Sequence, residues 1–181
     1  HNTMEPVPLN IRADPDQAIV WRNDRLYLLD QRILPGRETY LELQTAAETA
    51  RAITDMVVRG APAIGITAAY GVVLAARDRY REAQDKWRVL VSRDLDLLAS
   101  ARPTARNLFW SLQRMEGLIG SLGPADPRDK LLAEARAIHE EDIAANRTIG
   151  ALGAGLIEGR VSVITHCNAG ALATGGYGTA L

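Results

Sequence analysis

Residues 18–21 and 26–30 are two short extended apolar runs separated by Arg22-Asn23-Asp24-Arg25. Asn and Asp tolerate the left-handed backbone region, so the pattern predicts a β-hairpin with a structural role. From Thr45 the period becomes helical. Thr45 and Glu48 have the capping-box spacing, Ala46, Ala50, Ile53 and Val57 share one stripe, and the predicted helix runs to about Val58. Gly60 is read as ending that helix and Pro62 as opening the next, in which Gly65, Ala68, Ala69 and Gly71 leave a thin face that lets another backbone come close. Trp87, Leu90, Val91, Leu95 and Leu98 predict a third helix over residues 86–100, stopped by Pro103. Leu108, Leu112, Met115, Leu118 and Ile119 carry a fourth. After the Gly, Pro and Asp of residues 120–129, Leu131, Ala135, Ile138 and Ile143 predict a fifth, from Asp126-Pro127 to about Asn146.

Residues 149–156 are apolar and small and lead into Val161-Ser162-Val163-Ile164-Thr165, a β-branched run with the signature of a buried parallel strand. A polar, glycine-punctuated loop follows at once and holds the single cysteine. In open α/β sheets the crevice beyond the carboxyl ends of the strands is the usual ligand site, which would place His166, Cys167 and Asn168 in such a crevice. There Cys167 could supply a thiolate, whereas in a closed interior it would be a small core residue. Arg59, beside a glycine and a helix start, has the makings of an anion site, and equally of a solvated loop arginine. Arg102 repeats the arrangement, an arginine just before a proline that suits a helix start. His139-Glu140-Glu141-Asp142 lies opposite the apolar stripe of its helix and reads as a solvated face rather than a metal site.

Composition narrows the class. The chain has 181 residues, 47% of them hydrophobic and 24% charged, with a formal net charge of -1. This is the make-up of a soluble globular protein, with no basic footprint for nucleic acid or an anionic membrane. No leader is recognised, and one cysteine makes no internal disulfide, so the expected compartment is a reducing cytoplasm. His1-Asn2-Thr3, ahead of Met4, reads as the remnant of a tag.

Several motifs occur together in a recognisable order: LLDQRILPGRETYLEL at 28–43, MVVRGAPAIGITAAYGVVLAA at 56–76, ARPTARNLFWSL at 101–112, EEDIAANRTIGALGA at 140–154 and THCNAGALATGGYGTAL at 165–181. In these the chain resembles the S-methyl-5-thioribose-1-phosphate isomerase family. That family is itself similar to ribose-1,5-bisphosphate isomerase and to the regulatory subunits of the exchange factor of translation initiation. The resemblance implies an aldose-to-ketose isomerisation of 5-methylthioribose 1-phosphate to 5-methylthioribulose 1-phosphate in methionine salvage. It implies an α/β protein: a small, mostly helical N-terminal domain with a β-hairpin at residues 4–125, then at 126–181 a connecting helix and the first strand and loop of a Rossmann-like parallel-sheet domain, truncated here. It places Arg59, Gly60 and Ala61 at the substrate, chiefly its phosphate, with Arg102 beside them, and makes Cys167 the catalytic cysteine.

The family's acid aspartate, a substrate-binding glutamine and an Asn-Lys pair would fall beyond Leu181, so the chain is expected to need a C-terminal half. The implied partner is a small sugar phosphate, with no metal, no nucleotide cofactor, no nucleic acid and no membrane, in a homodimer. The regulatory subunits lack the cysteine loop, so Cys167 favours an enzyme. Ribose-1,5-bisphosphate isomerase is the alternative: a methylthio group at C5 wants an apolar pocket, a second phosphate wants cations.

Overall fold

A computed structural model describes residues 14–179. The reading of residues 1–3 and the expected domain start at residue 4 lie outside the described residues. Strands β1 (Ile19–Arg22), β2 (Arg25–Leu29) and β3 (Tyr40–Leu43) precede helices α1 (Ala46–Thr54), α2 (Ala61–Glu82), α3 (Trp87–Ser100), α4 (Arg106–Ser121) and α5 (Arg128–Ala154). Single 3-10 turns lie at Pro15–Gln17 and Ala171–Ala173.

The hairpin forms as the pattern predicts. β1 and β2 pair antiparallel, with Ile19 opposite Leu28 and Arg22 opposite Arg25. Asn23 and Asp24 both take positive φ, 51° and 58°, which gives the connection the backbone twist that two-residue hairpins need. β3 joins β2 antiparallel to complete a three-stranded sheet in the order β1-β2-β3. Its four residues, YLEL, carry too little alternation to be read as a strand from the sequence.

The hub of the molecule is α2. Every residue from Ala63 to Arg77 is buried, so the helix is apolar all round, as expected of one enclosed by others. The sheet and the other four helices pack about it. The thin face does what its composition suggests: a Cβ on Gly65 would lie 2.8 Å from the carbonyl oxygen of Asn107, so α4 crosses α2 almost backbone to backbone. Ser111 Oγ donates to the Gly65 carbonyl at 2.7 Å and marks that crossing. The buried Arg77 guanidinium donates to the carbonyls of Asp24 and Gln44, both at 2.6 Å, which ties the hairpin turn and the entry to α1 onto the hub.

Several expectations need correction. α1 is capped as predicted, Thr45 Oγ1 accepting from the Glu48 N–H at 3.1 Å, but it ends at Thr54 rather than Val58. Met56 turns left-handed (φ 62°), and Val57 and Val58 are buried beyond the helix rather than on its stripe. Gly60 therefore does not close α1; with φ 102° it is the residue that begins α2. Pro103 starts no helix, because α4 begins at Arg106, so Arg102 does not repeat the setting of Arg59. α5 continues past Asn146 to Ala154.

The largest departure is at residues 161–165, which are exposed and form no strand, with Ile164 fully accessible. A parallel strand is stabilised by neighbours on both sides and cover on both faces. The described residues hold only the antiparallel sheet, far back in the chain, so the β-branched run has nothing to pair with.

Candidate functional site

The site is assembled where the beginning of α2 meets the loop that follows Cys167. Gly60 sits so close to this loop that a Cβ there would lie 2.5 Å from the Ala173 carbonyl oxygen and 2.6 Å from its Cα. No side chain among the described residues caps α2, and Pro62 supplies no N–H in its first turn. Beside this corner Gln31 is buried, 4% exposed, and works in two directions. Its Nε2 donates to the Leu172 carbonyl at 2.8 Å, and its own carbonyl accepts from Arg59 Nη2 at 3.3 Å. Arg59 Nε is buried and has no hydrogen-bond partner among the described residues. Next to Gln31, Asp30 accepts two side-chain bonds from Arg32, and this pairing holds its carboxyl below the usual carboxylate range.

On the other side, α5 grips the same loop. Asp142 Oδ2 accepts from the Gly175 N–H at 2.7 Å, and Asn146 Nδ2 donates to the Tyr177 carbonyl at 2.8 Å. His139 Nε2 meets the Gly175 carbonyl, which only accepts, so that nitrogen carries the proton. Nδ1 is then free to accept from the Tyr70 hydroxyl at 3.0 Å. Both backbone groups of Gly175 are therefore held by α5, and a Cβ there would press on the His139 ring at 2.8 Å. The loop also closes on itself: a Cβ on Gly178 would fall 2.4 Å from Gly170 Cα. The expected solvated face at 139–142 is thus only half right, for Glu140 and Glu141 are exposed while His139 and Asp142 are partly buried and face the loop.

These contacts have measurable consequences. Asp142→Ala leaves the Gly175 N–H without its charged acceptor, which costs roughly 1.5–3 kcal/mol locally. The expected result is faster proteolysis within residues 166–178 with the helical content unchanged, checked by limited digestion and circular dichroism. Tyr70 is buried, and burial pushes its hydroxyl up to about 12. Below about pH 10 the hydroxyl is protonated folded or unfolded and stability does not depend on it. Between about 10 and 12 the unfolded chain releases the proton while the folded chain keeps it, so stability falls, by roughly 1.4 kcal/mol per pH unit. Tyr70→Phe removes that slope, and the stability gap between wild type and variant should narrow from pH 8 to pH 11 in urea titrations.

Of the residues singled out from sequence, Gly60 is brought against Ala173, and Arg59 is linked to Leu172 through Gln31. Ala61 is exposed at the first position of α2. Cys167 is exposed, with φ 64°, three residues ahead of the docked loop, and His166 lines a groove along the distal part of α5 with Ile149, Gly153 and Val163. Arg102 is half-buried in the turn between α3 and α4, and its side chain makes no hydrogen bond among the described residues. Among the described residues no group of three or more His, Cys, Asp or Glu could hold a metal ion, and no helix is long and apolar enough to cross a membrane. Gln31 was not read from sequence, since one polar residue before an arginine carries no pattern. His139, Asp142 and Asn146 carry one, the i, i+3, i+7 spacing of a single helical face.

The chain is similar to known proteins over most of its length. The chain is 58% identical over 174 residues to a methylthioribose-1-phosphate isomerase of Nitrosococcus oceani, covering 96% of this chain and 50% of that protein. A methylthioribose-1-phosphate isomerase of Pseudomonas aeruginosa is 53% identical over 176 residues, with 94% and 49% covered. The chain thus spans about half the length of the curated relatives it matches. Among solved structures, the 5-methylthioribose 1-phosphate isomerase of Pyrococcus horikoshii superposes with a TM-score of 0.80 at 33% identity, over 93% of this chain and 49% of that one. The delta subunit of translation initiation factor eIF-2B from A. fulgidus superposes with a TM-score of 0.79 at 39% identity, over 90% and 48%. Residues 57–176, which run from the corner before α2 to the loop gripped by α5, match the initiation factor 2 subunit family, and the chain belongs to that family.

Proposed function

We propose that the complete protein is an aldose–ketose isomerase that converts 5-methylthioribose 1-phosphate to 5-methylthioribulose 1-phosphate in methionine salvage. The observation that carries this reading is the seam between the Arg59–Gly60 corner and the loop following Cys167, in a chain 52–58% identical to isomerases of that name. A phosphate on O1 blocks ordinary opening of the sugar ring. The ring oxygen must gain a proton as its bond to C1 breaks, the C2 hydrogen moves to C1, and the O2 hydroxyl gives up its proton as the ketone forms. Atoms balance with nothing oxidised overall, so the reaction calls for positioned charge and proton carriers and for no redox partner.

In this reading Arg59 and Arg102 face the phosphate together with the amides of Gly60 and Ala61. Cys167 takes part in the C2-to-C1 transfer, and the acid at the ring oxygen comes from the second half of the protein, in the same or a separate chain. Residues 4–125 form the N-terminal domain, and residues 161–165 become the first strand of a Rossmann-like parallel sheet once neighbours are present. The assembly is a cytoplasmic homodimer.

A second reading, a non-catalytic regulatory subunit, is favoured by the likeness to the eIF-2B delta subunit. Assay of the full-length protein on 5-methylthioribose 1-phosphate and ribose 1,5-bisphosphate separates the readings. Turnover of the first sugar is expected. Preference for the second would make the protein a ribose-1,5-bisphosphate isomerase, and turnover of neither would support the regulatory reading.

A further inference from the structure

Beside the α2 start lies a cleft of about 310 Å³ between α2, α4 and α5. This is the low end of the range for small-ligand sites. Its apolar lining comes from Pro62 and Ile66 on α2, Trp110 on α4 and Ile138 on α5, and its polar edge includes Glu141 and Asp142. Ile66 and Ile138 are 2% and 3% exposed, so they form a fixed floor, whereas Trp110 is 52% exposed and forms a wall. The Arg114 guanidinium sits 5.5 Å from the centre of the Trp110 ring and is paired with Glu134 and Glu141.

Two features tie the cleft to the candidate site. Pro62 lines the cleft and directly follows Ala61, so the cleft begins one residue past the expected phosphate position. Asp142 lines the cleft and also accepts the Gly175 N–H, so the cleft borders the loop that follows Cys167. A ligand with its phosphate at the α2 start and its reacting carbons toward that loop has its remaining end beside the cleft.

We propose that this cleft receives the C5 substituent of the sugar phosphate, and that Trp110 together with the acidic edge selects a methylthio group over a second phosphate. The inference rests on the isomerase reading above and adds the basis of its substrate choice. A methylthio group gains by leaving water for the Ile66, Ile138 and Trp110 surfaces. A phosphate would instead lie beside two carboxylates, and the Arg114 guanidinium beside Trp110 is already engaged by Glu134 and Glu141.

The test uses the full-length protein and two substrates, 5-methylthioribose 1-phosphate and 5-deoxyribose 1-phosphate, which lacks only the methylthio group. Trp110→Ala should lower kcat/KM for the first by about tenfold, the scale of losing one small apolar contact, and leave the second within about twofold. Trp110→Phe, which keeps an aromatic wall, should restore most of the loss. An equal loss on both sugars would mark Trp110 as merely structural, and no loss on either would remove it from the site; both results overturn the assignment. If wild type turns over 5-methylthioribose 1-phosphate normally while the Trp110 variants fail these expectations, only the cleft assignment falls. If wild type turns over neither sugar, the isomerase reading falls and the cleft assignment with it.

Discussion

Gly60→Ala is expected to separate the loop of residues 170–178 from the helical core and to abolish activity in the full-length protein. Two penalties coincide at this position. With φ 102° the backbone is in a region that L side chains rarely adopt, which costs about 1–2 kcal/mol. The added methyl would also lie 2.5–2.7 Å from three atoms of Ala173, two of them backbone, so it cannot be accommodated by turning a side chain. The total should reach roughly 3 kcal/mol or more, placing the substitution among the most damaging single changes available to this chain. Because α2 is enclosed from Ala63 onward, the helices should survive. Circular dichroism should stay near wild type, while limited proteolysis cuts within residues 166–178 and isomerase activity falls more than a hundredfold. Gly117→Ala is the control: it lies in α4 with nothing within 4 Å of an added Cβ, and should stabilise the helix slightly. A Gly60→Ala protein that resists protease and turns over normally would show that the seam does not matter.

If the isomerase reading holds, Cys167→Ser lowers kcat of the full-length protein by about 10²–10⁴, the range of a positioned proton carrier, with KM changed only a few-fold. Serine keeps nearly the same size and hydrogen bonding, so the loop should dock as before. The hydroxyl, however, is far less acidic than a thiol and cannot exchange a proton with carbon at neutral pH as readily. The exposure of Cys167 suits this role, since a reacting sulfur has to be reachable. Steady-state kinetics on 5-methylthioribose 1-phosphate decides the matter, and turnover within a few-fold of wild type would remove the cysteine from the chemistry.

Local signals were readable where chemistry and period agreed. The hairpin was visible because Asn23 and Asp24 suit a left-handed turn between two apolar runs. α3 was visible because Trp87, Val91, Leu95 and Leu98 keep helical spacing and are buried together. What could not be read were features set by distant partners. The enclosure of α2 depends on the sheet and four helices closing over it, and its own composition showed only that a close approach was allowed. Residues 161–165 have strand composition, yet composition supplies no hydrogen-bonding neighbour, and without one the run stays exposed. In the candidate site, Arg59 and Cys167 stand out by residue type and place, whereas Gly60 and Ala61 enter it only through the family resemblance. The grip of Gln31, His139, Asp142 and Asn146 on the loop does not stand out, because each acts on backbone groups 31 to 141 residues away. The spacing of His139, Asp142 and Asn146 puts them on one helical face, but it does not say which backbone groups that face holds.

The 27 residues of α5 give a rod about 40 Å long. Leu131, Ala135 and Ile138 anchor its first half, and beyond Asn146 nearly every residue is exposed. The hold on Gly175 and Tyr177, made by His139, Asp142 and Asn146, sits where the anchored part gives way to the exposed part. Whatever is joined beyond Ala154 is therefore carried on an exposed helical arm whose base is fastened to the loop that follows Cys167.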